Sequence, residues 1–456
     1  MEDSTMDKRM LRDVIGQVLS QEAGRLAETL TGLFETLVKS GEDPRQFEKS
    51  FRENLFGFGA GLLGKVMERF DPDLREWLRR RGHRTAEGSL CHGRLRSKGV
   101  KPVTFMTILG PVTTRRFTAV CDRCGTWVGT VEELLGVTPE HLTPGCASVA
   151  ALAAATVSYA AAERHLLEMA GIRLDDKRIH RVVQRVGPSA TRLLRADPDT
   201  LSAPKRLLPP PHRPLYAGVD GGRIRLRGGP WIEPCIGLIW WVGPDGHLRR
   251  WVIAEVRDKE HVLRVLDRWL ARYKRFRRGK PILIADGAHW IWEWASKHPD
   301  AIWILDYYHL KEHVWAAAKT VYGEGTPKAA VWAKRMMNRL WRGQIRAAFA
   351  ELDRLRPRGT GKRDLLLGLI GYIAKYEGMM GYRHHRSLGR TIGSGHVESM
   401  VKQLFSMRLK GPGMFWSEPG AQNVLHLRAA YIADRWDELW DDIHCRGLAS
   451  ALDPAA

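Results

Sequence analysis

Three carboxylates stand where they could do chemistry together. The apolar run Ile282-Leu283-Ile284-Ala285 stops at Asp286, which Gly287 follows. A second run, in "LYAGVDGG", stops at Asp220, followed by Gly221-Gly222. Each Asp-Gly alone reads as a turn. Two carboxylates at the ends of neighbouring strands repel at neutral pH, and a divalent cation between them relieves that repulsion. A third acid, Glu398, lies in "GSGHVESMVKQLFSMRLKGPGMFW" (393–416). There Val397, Met400, Val401 and Leu404 fall on one helical face, with Glu398 at its edge. The plainer alternative is a solvated Glu398–Lys402 pair four residues apart. Three acids around Mg²⁺ or Mn²⁺ suit phosphoryl transfer. Arg408 and Lys410, in the basic glycine-rich tail of this segment, are then candidates to contact phosphate. "GSG" at 393–395 is not a nucleophile elbow, and no serine-hydrolase triad accompanies it.

These acids share a site only if the elements bring them together. "LYAGVDGGRIRLRG" reads as a first strand, "CIGLIWWVG" (235–243) as a second and "LRRWVIAEV" (248–256) as a third. Pro244-Asp245-Gly246 turns the second into the third. "KEHVLRVLDRWLARYK" (259–274) has helical periodicity, "PILIADGA" is a fourth strand and "AIWILDYYHL" (301–310) a fifth. Three antiparallel-type strands, a helix, a strand, a helix and a strand make the ribonuclease H-like layout, in which strands one and four are neighbours. The stretch 311–388 is rich in Trp, Arg and Lys and reads as a helical insertion before the segment that bears Glu398.

Upstream, residues 1–82 show apolar spacing of three and four, as in helices. β-branched residues dominate 102–121, with a turn expected at Gly110-Pro111, and Cys121-Asp-Arg-Cys124 follows. A C-x-x-C at a strand end is half of a zinc ribbon. Cys91 and His92 are candidates for the other half, with His83 as the alternative histidine. No second C-x-x-C is present, so a knuckle without Zn²⁺ stays open. Residues 159–187 read as helix, turn at Gly171 and helix, a helix-turn-helix pattern. Its second helix carries Lys177, Arg178, Arg181 and Arg185 as candidate DNA contacts, the alternative being a basic exposed αα-hairpin. The proline-rich "LLPPPHRPLY" (207–216) reads as a linker.

The 456 residues carry 72 Lys+Arg against 51 Asp+Glu, a net charge of +21. That balance points to a polyanionic partner, nucleic acid first. The charged N-terminal stretch gives no secretory signal, and the longest apolar run (147–162) is Ala-rich and too short to span a bilayer. Six scattered cysteines fit a cytoplasmic protein better than a disulfide scaffold.

Together "VDGG", "IADGAHWIW", "ILDYYHL" and "GSGHVES…RLKGPGMFW" resemble the bacterial insertion-sequence DDE transposases of the Kra type, related to the Lre type and more loosely to Mutator-like elements. The resemblance covers roughly 85–435 and includes the knuckle and the helix-turn-helix-like stretch. It implies that Asp220, Asp286 and Glu398 form a DDE triad holding Mg²⁺. It also implies that Asp306 and His309 match an auxiliary D-x-x-H motif. Double-stranded DNA is the implied partner, as terminal inverted repeats and target, bound by a homo-oligomer in the nucleoid without membrane association.

The expected architecture is a multidomain α+β chain. It has an N-terminal helical region (1–82), a zinc-ribbon-like hairpin (83–135) and a helix-turn-helix-like region (136–206). A ribonuclease H-like core (212–310), a helical insertion (311–388) and a closing catalytic helix with tail (389–456) follow. A domesticated, DNA-binding regulator and a ribonuclease H-like nuclease are the competing functions. The presence of all three acids argues against the first. The upstream binding segments and the large insertion argue against the second.

Overall fold

The computed structural model describes residues 8–446, apart from 42, 86–87, 197–207 and 356–358. The expected boundary at 206, the first residue of the linker and the end of the tail lie outside the described residues. The chain is a mixed α+β protein that divides into two compact units. One holds the described residues up to Leu193 together with those from Gln422 onward; the other runs from Leu194 to Ala421.

The first unit begins with two long helices, α1 (Lys8–Ser40) and α2 (Pro44–Arg81). Asp43 caps α2, its side chain accepting from the Arg45 amide, and Pro44 occupies the first turn, where its missing N–H costs nothing. A two-strand ribbon of β1 (His83–Arg84) and β2 (Leu90–Cys91) follows. Then β3 (Leu95–Thr107) and β4 (Gly110–Cys121) form a hairpin joined to β5 (Trp127–Gly129). The hairpin starts earlier than its β-branched stretch, because Arg96–Lys101 is exposed and shows no apolar alternation. Its tip is Ile108-Leu109, so Gly110-Pro111 opens β4 rather than making the turn.

Beyond that tip the inward residues Val103, Phe105 and Val112 pack with Ala60 of α2 and with Val131 of α3 (Thr130–Leu135). Buried Asp71 fastens these pieces. One of its oxygens accepts from the Phe117 amide (2.7 Å) and the Thr130 hydroxyl (2.6 Å), and the other pairs with Arg75. Helices α4 (Pro144–Thr156), α5 (Tyr159–Ala170) and α6 (Asp176–Arg195) follow.

The second unit is built on one five-stranded sheet. Its strands are β6 (Tyr216–Gly221), β9 (Cys235–Val242), β10 (Leu248–Glu255), β11 (Ile282–Ala285) and β12 (Ile302–Leu305), in the order β10-β9-β6-β11-β12. The first three pair antiparallel, while β6, β11 and β12 run parallel. β11 is buried at every position, as a strand covered on both faces must be. The first strand ends at Gly221, sooner than its sequence suggests. After Gly222 the chain forms a separate ribbon of β7 (Ile224–Arg225) and β8 (Trp231–Ile232).

Helix α7 (Lys259–Arg277) buries Val262, Val265, Leu266, Trp269 and Leu270. α8 (His289–Ala295) joins β11 to β12, and α9 (Tyr307–Tyr322) leaves β12 directly. Then come α10 (Pro327–Trp341), α11 (Ile345–Asp353), α12 (Thr360–Tyr376) and α13 (Tyr382–Ser387). α14 (Gly395–Val401) continues into a π-helical turn at Lys402–Ser406.

The chain then enters α15 (Glu418–Ile432) and ends its described part in α16 (Trp436–Arg446). From Gln422 these helices pack into the first unit. Asn423 donates to Gln184 (2.9 Å), His426 meets Thr191 (2.7 Å) and Arg428 donates to the Ala155 carbonyl (2.8 Å). The expected segment 389–456 is therefore divided between the units.

Candidate active site

β6 and β11 are adjacent parallel strands with Leu283 opposite Ala217. Continuing that register sets Asp286, just past β11, level with Asp220 at the end of β6. Residues two apart on a strand share a face, so Asp220 faces the same way as Gly218. At Gly218 that face meets α14: a Cβ there would lie 2.6 Å from Val397 Cγ2, so only glycine lets the helix approach this closely. Glu398 is the next residue. The three acids line one cavity of about 170 Å³, together with His309, Glu312 and Ser394. No lysine or arginine is part of that lining.

Burial, then the charges of Asp286 and Glu398, push the Asp220 carboxyl up to about 6, although the Gly221 amide donates to it. Asp286 accepts from the Ala288 amide (2.9 Å), which fixes the loop after β11. That loop is pinned again by Tyr376, whose hydroxyl donates to the Gly287 carbonyl (2.9 Å). A Cβ at Gly287 would lie 2.1 Å from the Tyr372 ring. So the glycine after Asp286 makes room for α12.

Asp306 is fully buried and caps α9, accepting from the Tyr308 (2.6 Å) and His309 (3.1 Å) amides. Its other oxygen accepts from the Ser394 amide (2.7 Å) and meets the Ser394 hydroxyl. Ser394 Oγ also lies 3.0 Å from Glu398 Oε1. His309 points into the cavity and stands 3.2 Å from His313, nitrogen to nitrogen. Burial, then His309, keeps the pKa of His313 below that of an ordinary histidine. Asp306 and His309 thus flank the acids.

Two lining residues escaped the sequence reading. Glu312 sits one turn beyond His309, at i+3, and a periodicity count on α9 would have found it. In the sequence Ser394 stands out only as the middle of "GSG".

A larger cleft of about 750 Å³ opens on the other side of Asp220, with Arg223, Lys259, Trp290 and Lys410 among its walls. Lys410 is exposed there. Arg408 is not: it is 1% exposed, with its guanidinium over the Trp416 ring at 4.9 Å. The expectation that it meets phosphate is corrected, because the turn after α14 folds it inward.

In the first unit, Gly171 takes the left-handed conformation that ends α5 (φ 69°), and α6 begins after a short connection. Lys177 and Arg181 are exposed on α6. Arg178 and Arg185 are occupied within the protein. Arg178 donates to the Glu140 and His141 carbonyls, and Arg185 forms a two-pronged pair with Glu140 (2.6 and 2.8 Å). Those two candidates hold the α3–α4 connection rather than present themselves to DNA.

The knuckle gathers His83, Cys91, Cys121 and Cys124, whose donor atoms all lie within 4.8 Å of one another. Among the described residues this is the one group of three or more such side chains that converges so closely. The acids of the second unit share a cavity without closing to that distance. The histidine is His83, not His92. β1–β2 pairing sets His83 opposite Cys91, while His92 is exposed.

Cys91 and Cys121 sulfurs are 3.8 Å apart and unbonded. A tetrahedral zinc with Zn–S bonds of about 2.3 Å would hold two sulfurs about 3.8 Å apart, so the donor set fits that ion. Against the upward push of burial, hydrogen bonds from Thr126 and His83 bring the Cys124 thiol down to about 6.

Residues 45–437 match the uncharacterised protein family UPF0236. The chain belongs to that family. A comparison with curated proteins finds no match. The matched span includes the knuckle, all three acids and α15, and so takes in the whole second unit and most of the first, without α1. Among the described residues no helix is long and apolar enough to cross a membrane.

Proposed function

We propose that the chain is a DDE-type DNA transposase that binds the ends of an insertion sequence, cleaves them and joins them to target DNA. The observation that carries this reading is the gathering of Asp220, Asp286 and Glu398, from the ends of β6 and β11 and from α14, around one small cavity with no lysine or arginine in its lining. The sheet order supports reading the second unit as a ribonuclease H-like α/β domain, with α10 to α13 as its helical insertion.

The acids suit a divalent cation, Mg²⁺ or Mn²⁺, because burial and the neighbouring carboxylates both disfavour a bare charge on Asp220, and a cation offsets both. Asp220, Asp286 and Glu398 would hold it. When bound, such an ion activates a water or 3′-hydroxyl nucleophile and neutralises charge on the leaving oxygen. The chain's own residues do the rest. Lys410 and Lys259 line the cleft beside Asp220 and offer positive charge to the phosphates of a strand lying in it. His309 brings the one imidazole of the cavity lining and is placed to take up the proton that the nucleophile loses. Lys177 and Arg181 on α6 would contact the backbone of the terminal repeats. His83, Cys91, Cys121 and Cys124 would hold a structural Zn²⁺. Pairing two DNA ends calls for a homo-oligomer in the nucleoid.

The test is a DNA fragment carrying the element's own ends, incubated with the purified chain in Mg²⁺ and then in EDTA. Mg²⁺-dependent nicks at the terminal bases are expected. Asp286→Asn is expected to keep DNA binding and lose cleavage, and unchanged cleavage by that variant would sink the assignment.

A further inference from the structure

Ser394 occupies the N-cap position of α14, yet its side chain makes no capping hydrogen bond to that helix. A serine there normally accepts from an amide one turn on. Its hydroxyl instead stands between two carboxylates, Asp306 and Glu398. A hydroxyl has one proton, so it donates to one of them at a time. Asp306 does not depend on it: three backbone amides, from Tyr308, His309 and Ser394, already donate to its two oxygens. The hydroxyl lies closer to Asp306, and it can turn its proton to Glu398 Oε1 (3.0 Å) without leaving Asp306 unpaired, while Asp306 keeps the Ser394 backbone fixed. Ser394 is 8% exposed and Asp306 is fully buried, whereas Glu398 reaches the surface of the cavity. The arrangement runs from a buried acid, through one hydroxyl, to an exposed acid in the cavity wall.

We infer that Ser394 is a positioning residue for cation binding. It holds one oxygen of Glu398 by donating to it and leaves the other aimed at a divalent ion shared with Asp220 and Asp286. Asp306 acts behind it, locking the turn at 393–395 to the start of α9. This inference rests on the cation-binding reading of the acids and assigns to Ser394 a role that no triad residue has. Hydrogen-bonded groups behind metal ligands are worth roughly 10–100-fold in affinity.

The experiment measures Mn²⁺ binding to the full chain without DNA, by the loss of the free-ion electron paramagnetic resonance signal. Wild type is compared with Ser394→Ala, Glu398→Gln and the double variant. Asp286→Asn serves as the control for the site itself. Ser394→Ala is expected to weaken Mn²⁺ binding about 10-fold. In the Glu398→Gln background the same change is expected to add nothing further, because the hydroxyl acts through Glu398. Wild-type affinity in Ser394→Ala, or fully additive losses in the double variant, would overturn the positioning role while leaving the cation site intact. Mn²⁺ binding that is absent from wild type, or unchanged by Asp286→Asn, would overturn the cation site and this inference with it.

Discussion

Asp220 shows what the site costs the folded chain. Its carboxyl is raised from 3.8 to about 6 by burial first and by Asp286 and Glu398 next. Between about pH 4 and about pH 6 the folded state keeps a proton that the unfolded chain has released. The stability this proton contributes is full below that window and is lost as the pH rises through it. Without divalent cation, Asp220→Asn should therefore stabilise the protein at pH 7.5, on the order of 2 kcal/mol, and change little at pH 4. Thermal melts at the two pH values check this, and a variant less stable at pH 7.5 would argue against burial and charge crowding as the causes. The three acids were legible in the sequence because each aspartate ends an apolar run and Glu398 edges an apolar helical face. Ser394 and Glu312 were not, since their relevance depends on which way α14 and α9 turn. Arg178 and Arg185 were misread because nothing local announces that Glu140, far back in the chain, lies against both.

At the scale of elements, the closest fit is α14 against β6 through Gly218. Gly218→Ala puts a methyl group 2.6 Å from Val397 and forces the helix away from the strand. The expected result is a loss of about 1–3 kcal/mol in the denaturant unfolding of the second unit, with reduced cleavage and unchanged DNA binding. Unchanged unfolding would mean that α14 accommodates the methyl and that the contact does not set the position of Glu398. The five core strands were readable because their apolar runs are bounded by Gly, Pro and Asp. The early start of β3 was not, since Arg96–Lys101 is exposed and carries no alternation of apolar and polar residues. The choice of His83 over His92 likewise needed the pairing of β1 with β2, which two residues per strand cannot signal.

For the whole molecule, charge and metal give separable predictions. If the chain binds DNA as proposed, a net charge of +21 predicts binding that weakens steeply with salt, the logarithm of affinity falling linearly with the logarithm of salt concentration. Fluorescence anisotropy across a salt series measures that slope, and Lys410→Ala should make it shallower by about one. A strong chelator should lower the melting temperature of the first unit, and Cys121→Ala should do the same. A chain purified without zinc and indifferent to the chelator would count against metal in the knuckle. The two-unit division was only partly legible, because the return of the chain to the first unit after Ala421 depends on contacts such as Asn423 with Gln184.

That return has a consequence for biosynthesis. The second unit receives its third acid from α14, and the first receives α15 and α16 from further along the same chain. On the ribosome, Asp220 and Asp286 emerge long before Glu398, and helix α6 emerges long before the helices that pack on it. A nascent or prematurely terminated product therefore lacks closing pieces of both units together. It carries neither a complete set of acids nor a finished first unit, so whatever chemistry the acids perform waits for the last helices to be made.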